Sequence, residues 1–405
     1  MGSRNWKALA SYCCIAILLS ALPAQAQSDA GRSTGNLALI RDAAQAIAAG
    51  DLQRAETELN VVLAAVPNEY RALNLMGIVR AQQRREPEAE KLLRRSIELN
   101  PAFASAHVSL GMLYVQMARP DDAIVEFQEA LRLDADRSDA RSALVNTWRE
   151  EARAAVGRND PEKALSLLLR ARKTESKDPD VLYDFGMVAL QMSLFPDAVQ
   201  AFQEALTVRK DDARAVYGLG RAQMALANYD DARATFQRYV EMQPADASGR
   251  YALGMTLESL QQFADARDEF QKSIALQPAQ TESYFQLGQI ELEAGNLAAA
   301  ETQLNRVLSR DPHHAGALAA LGRLKFQQKD YIQARDDLEK AVAANIALRE
   351  AHYYLGMTYA RLNRKEDSDK ELAIATQLEH QEVERHQNQL RILNSDQPPA
   401  NEPSK

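Results

Sequence analysis

Apolar and polar positions along this chain repeat with two periods, one inside a helix and one between helices. In the stretch 247–280, Leu253, Gly254 and Leu257 fall on one helical face. Ala266, Phe270 and Ser273 form a second stripe, and Gln261-Gln262-Phe263-Ala264-Asp265 stands between the two. Pro278 closes the second stripe, since proline lacks an N–H and disfavours helix just before it. The stretch therefore predicts helix, turn and helix. Its first helix contains YALGM at 251–255, which returns as YDFGM at 183–187 and YYLGM at 353–357. VSLGM at 108–112 and YGLGR at 217–221 are looser versions.

The longer period is 34 residues. Gly77 and Gly111 are one period apart, and Gly186, Gly220, Gly254, Gly288, Gly322 and Gly356 follow one another at that interval. A second ladder runs through Ala55, Ala89 and Ala123 and resumes at Ala164, Ala198, Ala232, Ala266, Ala300 and Ala334, ending at Ser368. Prolines 67, 101, 244, 278 and 312 keep the same phase. A small residue on each helix lets the pair approach to the ~8–10 Å of close packing.

A helix-turn-helix of 34 residues with small residues at positions 8, 20 and 27, a large apolar at 24 and proline at 32 resembles the tetratricopeptide repeat (TPR). Gly111, Tyr114, Ala123, Phe127 and Ala130 carry the likeness in 104–137, and Tyr284, Gly288, Ala300 and Pro312 in 281–314. The resemblance implies an all-α, right-handed superhelical solenoid. About ten repeats are expected over 36–382, starting near 36, 70, 104, 138, 179, 213, 247, 281, 315 and 349. Ala123 and Ala164 are 41 apart, so the fourth repeat carries seven extra residues, about two helical turns. Whether 138–144 prefaces that repeat or Trp148 shifts within it is open at this level. The first repeat has Ala43 in place of glycine and the tenth has His380 in place of proline, as terminal repeats facing solvent often depart from the pattern. The segment 381–394, with Val383, Leu390 and Leu393, is expected to form a cap helix; 27–36 is expected to be a flexible leader and 395–405 a disordered tail.

Composition narrows the classes. At 405 residues and 46% hydrophobic the chain can bury a large core, and its net charge of −8 argues against a nucleic-acid partner. Arg4 and Lys7, the apolar run Ala8–Leu22 and the exit Pro23-Ala24-Gln25-Ala26 have the layout of a secretory signal peptide, 1–26, cleaved after Ala26. A retained anchor is the alternative, although the run is short for a bilayer span. Cleavage leaves 46 − 56 = −10 and removes Cys13 and Cys14, the two cysteines. The expected location is the periplasm or the extracellular space, with no membrane span after processing, no disulfide and no thiolate metal site.

Catalytic chemistry is not legible. The histidines are His107, His313, His314, His352, His380 and His386, and no HExxH, GxSxG or phosphate loop occurs. Asp121-Asp122, Asp211-Asp212 and Asp230-Asp231 fall at helix starts or turns, where acids are electrostatically favoured. Arg80, Arg84, Arg85, Lys91, Arg94 and Arg95, interleaved with Glu86, Glu88 and Glu90, read as a solvated edge. The chain is expected to be no enzyme and to hold no metal or cofactor.

The family resemblance implies that the first helix of each repeat lines a concave groove, mainly through positions 2, 5, 9, 12 and 13. Position 5 carries Asn74, Val108, Tyr183, Tyr217, Tyr251, Phe285, Ala319 and Tyr353; position 9 carries Ile78, Met112, Met187, Arg221, Met255, Gln289, Arg323 and Met357. The two positions are one turn apart and share a face. Met187, Met255 and Met357 stand in non-adjacent repeats, too far apart to share a copper ion. Methionine instead adapts to varied apolar partners, tyrosine adds area with a hydroxyl, and arginine can meet carboxylates. The candidate partner-binding residues are therefore Tyr183, Met187, Tyr217, Arg221, Tyr251, Met255, Phe285, Gln289, Arg323, Tyr353 and Met357, suited to a segment with apolar anchors and some acidic character. The family's lysine–asparagine clamp for a C-terminal carboxylate is absent. A protein or peptide partner and a scaffold role in the cell envelope are expected; the alternative is an accessory subunit of a secretion or polysaccharide-export complex at the membrane.

Overall fold

The computed structural model describes residues 30–395, with side-chain surroundings for 35–384. The expected signal peptide, the first residues of the leader and the tail beyond Ser395 lie outside the described residues. Among them the chain is all-α and holds twenty helices. It divides into two compact halves, the first ending at Ala222 and the second beginning at Gln223, inside one helix.

The first half contains α1 (Ala30–Ala49), α2 (Leu52–Ala65), α3 (Tyr70–Gln82), α4 (Glu86–Leu99), α5 (Ala104–Gln116), α6 (Pro120–Leu133), α7 (Ser138–Gly157), α8 (Pro161–Thr174), α9 (Pro179–Gln191), α10 (Phe195–Val208) and the start of α11 (Ala213–Ala225). The second continues with α12 (Tyr229–Met242), α13 (Ala247–Ser259), α14 (Phe263–Leu276), α15 (Thr281–Glu293), α16 (Leu297–Leu308), α17 (Ala315–Gln327), α18 (Tyr331–Ala344), α19 (Arg349–Arg361) and α20 (Lys365–Ser395). Odd-numbered helices are the first (A) and even-numbered the second (B) of consecutive repeats.

Within each half the A helices form the inner layer. α5 buries ten of its thirteen residues whereas α6 buries only Ala123, Phe127 and Ala130, because an A helix is covered by its own B helix and by the helices of neighbouring repeats. Consecutive A helices touch, as α3 touches α5 and α17 touches α19, while B helices do not approach one another to the same extent. The A-helix side is thus the concave side of each half.

The two small-residue ladders account for the close approach. Ala55, Ala89, Ala123, Ala164, Ala198, Ala232, Ala266, Ala300 and Ala334 have no exposed surface. Gly77, Gly111, Gly186, Gly254, Gly288, Gly322 and Gly356 each face the position-24 side chain of their own B helix: Leu93, Phe127, Phe202, Phe270, Leu304, Leu338 and Leu372. A Cβ at Gly254 would stand 2.7 Å from Phe270 Cε1, well inside contact distance.

Polar side chains join the layers at fixed positions. Position 4 meets position 23 inside a repeat: His107 Nδ1 lies 2.7 Å from Glu126 Oε2, Arg250 Nη1 3.0 Å from Glu269 Oε2 and His352 Nδ1 2.6 Å from Glu371 Oε2. Position 11 meets position 21 of the preceding repeat, in Arg80–Glu56 (2.8 Å), Arg267–Glu291 (2.8 Å) and Lys325–Glu301 (2.6 Å). The hydrogen bonds of Arg80 and then Gln83 hold the Glu56 carboxyl down at about 2. Arg80 is therefore an inter-repeat tie with little exposure, not part of the solvated edge expected from the sequence.

Every A–B turn places its position-15 residue in the left-handed region. Gly50 and Gly295 do so at φ 81° and 76°, but Arg84, Ala118, Asn159, Ser193, Ala227, Gln261, Lys329 and Asn363 do so as well. A left-handed L-residue costs roughly 1–2 kcal/mol. The following N–H answers this by reaching back five residues to cap the A helix, as Arg119 N–H donates to Tyr114 O at 2.8 Å.

Three segments differ from the sequence reading. Helix α1 begins at Ala30, so most of the supposed leader is helical; no proline interrupts 30–49, and Ile40, Ala43, Ala44 and Ile47 are buried. The expected cap 381–394 is not a separate helix but the continuation of α20, which runs unbroken from Lys365 to Ser395. In the fourth repeat, α7 runs unbroken for 20 residues and Asn159 takes the turn position, so the repeat proper starts at 145 and 138–144 preface its A helix. Ala140, Ala143 and Leu144 of that preface are buried.

Candidate functional site

On α9 of the first half, Tyr183 and Met187 stand one turn apart and are partly buried. The Tyr183 ring packs on Phe202 of its own B helix, centroids 5.9 Å apart, and the Arg214 guanidinium lies 4.8 Å above it. Burial pushes the Tyr183 hydroxyl above its ordinary range. Arg214 in turn bridges Asp212 (2.9 Å) and Asp180 (3.0 Å), which holds the Asp212 carboxyl low. Tyr217 is partly buried on α11, and Arg221 one turn on is exposed without an ion-pair partner among the described residues.

The fourth repeat places two arginines at positions 5 and 9 that the sequence reading missed. With its start at 145, Arg149 occupies position 5 and Arg153 position 9. Both reach Asp184 of α9, Arg149 Nε at 2.8 Å and Arg153 Nη2 at 3.0 Å, and Asp184 is buried. Their signal was the doubled arginine at a four-residue spacing, hidden while the register of the repeat stayed open.

In the second half, Tyr251 and Met255 of α13 repeat the α9 arrangement. Tyr251 packs on Phe270 at 5.8 Å, and the Gln286 amide of α15 hydrogen-bonds its hydroxyl, which burial pushes up. Phe285 and Gln289 are partly buried on α15. The Phe285 ring stacks against His314, centroids 4.9 Å apart, and over Gly316, where a Cβ would come within 2.9 Å of it. His314 also caps α17, its Nδ1 accepting from Ala317 N–H at 3.0 Å, so it belongs to the fold. Tyr353 of α19 is 43% exposed and meets Tyr354 edge-on at 5.2 Å; Met357 is partly buried one turn later.

Arg323 is placed differently from its sequence expectation. Its Nη1 lies 2.7 Å from Glu293 and 3.4 Å from Glu350, and it leans over the Tyr354 ring at 5.6 Å. With a side chain only 17% exposed, it is an internal tie between α15, α17 and α19, occupied by the chain's own carboxylates. Three position-5 residues, Asn74, Val108 and Ala319, are buried and offer nothing to a partner.

No group of three or more metal-ligating side chains occurs among the described residues, and no described helix is long and apolar enough to cross a membrane. What the A-helix faces can do is bind. They present aromatic rings and thioethers, fixed from below by position-24 side chains, beside arginines already oriented by aspartates.

A family model described as tetratricopeptide repeat matches residues 29–106, 149–213, 183–247, 217–281, 251–315, 285–347 and 319–375, and a second such model matches 104–137. Protein O-mannosyl-transferase TMTC3 of Homo sapiens is 30% identical over 121 residues, covering 29% of this chain and 13% of that protein. PEX5-related protein of Mus musculus is 26% identical over 172 residues, covering 40% of this chain and 30% of its own. The matches thus span less than a third of either relative. Among solved structures, MamA 41-end from Desulfovibrio magneticus RS-1 is 24% identical, with 42% of this chain and 96% of that chain covered at a TM-score of 0.40.

Proposed function

Because the chain belongs to the tetratricopeptide repeat family, we propose that it is a non-catalytic protein–protein interaction scaffold that holds an extended partner segment against the A-helix face of its repeats. The observation that carries this reading is the pairing of a ring at position 5 with an adaptable side chain at position 9, both incompletely buried, on A helices otherwise sunk in the core. Such a surface is preorganised: Tyr251 is held by Phe270 and Gln286 before any partner arrives, so association costs mainly the partner's own ordering. The transferase named among the relatives is matched over a small part of its length, and its activity stays with that protein.

The test is capture. Tyr251→Ser with Met255→Ser should reduce recovery of the partner from native extract by tenfold or more, as loss of hot-spot anchors does. Melting should change little, since both side chains are partly exposed. Undiminished capture would move the site off this face.

The signal-peptide layout of 1–26 supports an exported protein working in the cell envelope, as a scaffold or an accessory subunit of a larger complex there. Mass spectrometry of the chain purified from its native host should find Gln27 as the first residue; an intact Met1 would point to a retained anchor or to no export.

A further inference from the structure

On the concave face of the second half, one carboxylate has no answer from the chain itself. Glu258 follows Tyr251 by seven residues and Met255 by three, so the three share one face of α13. Its Oε2 is buried without a hydrogen-bond partner. Burial alone pushes this carboxyl above the usual range, with no neighbouring cation to offset it. A carboxylate withdrawn from water without a partner is costly, and such sites are ordinarily completed by a cation.

The same half shows how a neighbouring acid is completed. Glu293, at the end of α15, receives the Arg323 guanidinium from the next A helix at 2.7 Å. Gln289 precedes Arg323 by one 34-residue period, so α15 presents an amide where α17 presents a cation. Glu258, at the end of α13 one residue earlier in phase than Glu293, therefore meets no arginine from the following repeat. Glu282 of α15 and Glu258 both add negative potential at Tyr251.

Resting on the groove reading above, we propose that the α13–α15 face takes a partner segment carrying an arginine or lysine, whose cation is received by Glu258 while its aliphatic stem crosses Met255 and Tyr251. The slot is the complement of the Arg323–Glu293 tie, left open for a side chain from outside. It reverses, for this face, the acidic partner expected from interleaved arginines, because Arg323 is already taken.

The full-length chain with ¹³C-methyl methionine gives a local reporter, the Met255 methyl resonance, assigned through Met255→Leu. The probes are two capped heptapeptides, acetyl-Ala-Leu-Ala-Arg-Ala-Leu-Ala-amide and its glutamine counterpart, titrated at low ionic strength. The arginine peptide should bind about tenfold more tightly, the scale of a charge-assisted hydrogen-bonded pair. Glu258→Gln should abolish that preference without lowering the melting temperature, since it removes an unpaired buried charge. Gln289→Arg should abolish it as well, by supplying the cation from within. Equal affinities that still shift Met255 would overturn the cation slot and leave the groove reading standing. No shift of Met255 with either peptide would overturn both. An arginine preference surviving in Glu258→Gln would also sink the assignment.

Discussion

Replacing Phe270 by alanine is expected to cost about 3–5 kcal/mol, the range for deleting a buried aromatic side chain. Phe270 has no exposed surface and supports two neighbours at once, the Gly254 backbone and the Tyr251 ring. Gly254→Ala alone should destabilise by about 1–3 kcal/mol, because its methyl would lie 2.7–2.8 Å from two ring atoms of Phe270. Against this stands a gain of about 1 kcal/mol in helix propensity, so the net loss falls at the lower end. The two changes together should cost less than their sum by 1 kcal/mol or more, since the cavity left by the ring accepts the new methyl. Urea denaturation followed by circular dichroism measures all three variants. Strict additivity would mean that close approach to Phe270 is not what the glycine serves. The groove would register the same change: without Phe270 beneath it, Tyr251 loses its support.

The second large effect belongs to the seam in the fourth repeat. Trp148 is buried at position 4 of the repeat that starts at 145, and its Nε1–H has no hydrogen-bond partner. Trp148→Ala should cost about 3–5 kcal/mol through the cavity it leaves. Trp148→Phe should cost far less. Phenylalanine keeps most of the apolar volume and removes a buried donor whose unmet desolvation carries a penalty of about 1–3 kcal/mol. Because repeat arrays couple mainly to nearest neighbours, proteolysis of Trp148→Ala should open the region 138–174 first, while the repeats of the second half stay protected. If Trp148→Phe proved as damaging as Trp148→Ala, the indole N–H would have a partner in solution and the packing account of this seam would be wrong.

The sequence by itself determined the class and the rhythm. A period of 34 with glycine at position 8 and alanine at 20 leaves a helix pair as the unit, because small residues at those places serve only where two helices must meet. The spacing also places positions 5 and 9 on one face of every A helix, while that this face lines a groove was implied by the family resemblance. The structure decided what depends on partners far along the chain. The start of the fourth repeat, and with it the placing of Arg149 and Arg153 at positions 5 and 9, was settled by α7 continuing through both extra turns. The left-handed turn residues escaped notice because Ala118 or Lys329 gives no conformational signal of its own; the capping hydrogen bond imposes the geometry. Most consequentially, Arg221, Arg323 and Glu258 look alike in sequence, three charged residues on one kind of face. Whether such a charge is spent within the fold or kept for a partner depends on which side chain the neighbouring repeat brings within 3 Å or so, and only tertiary packing supplies that neighbour.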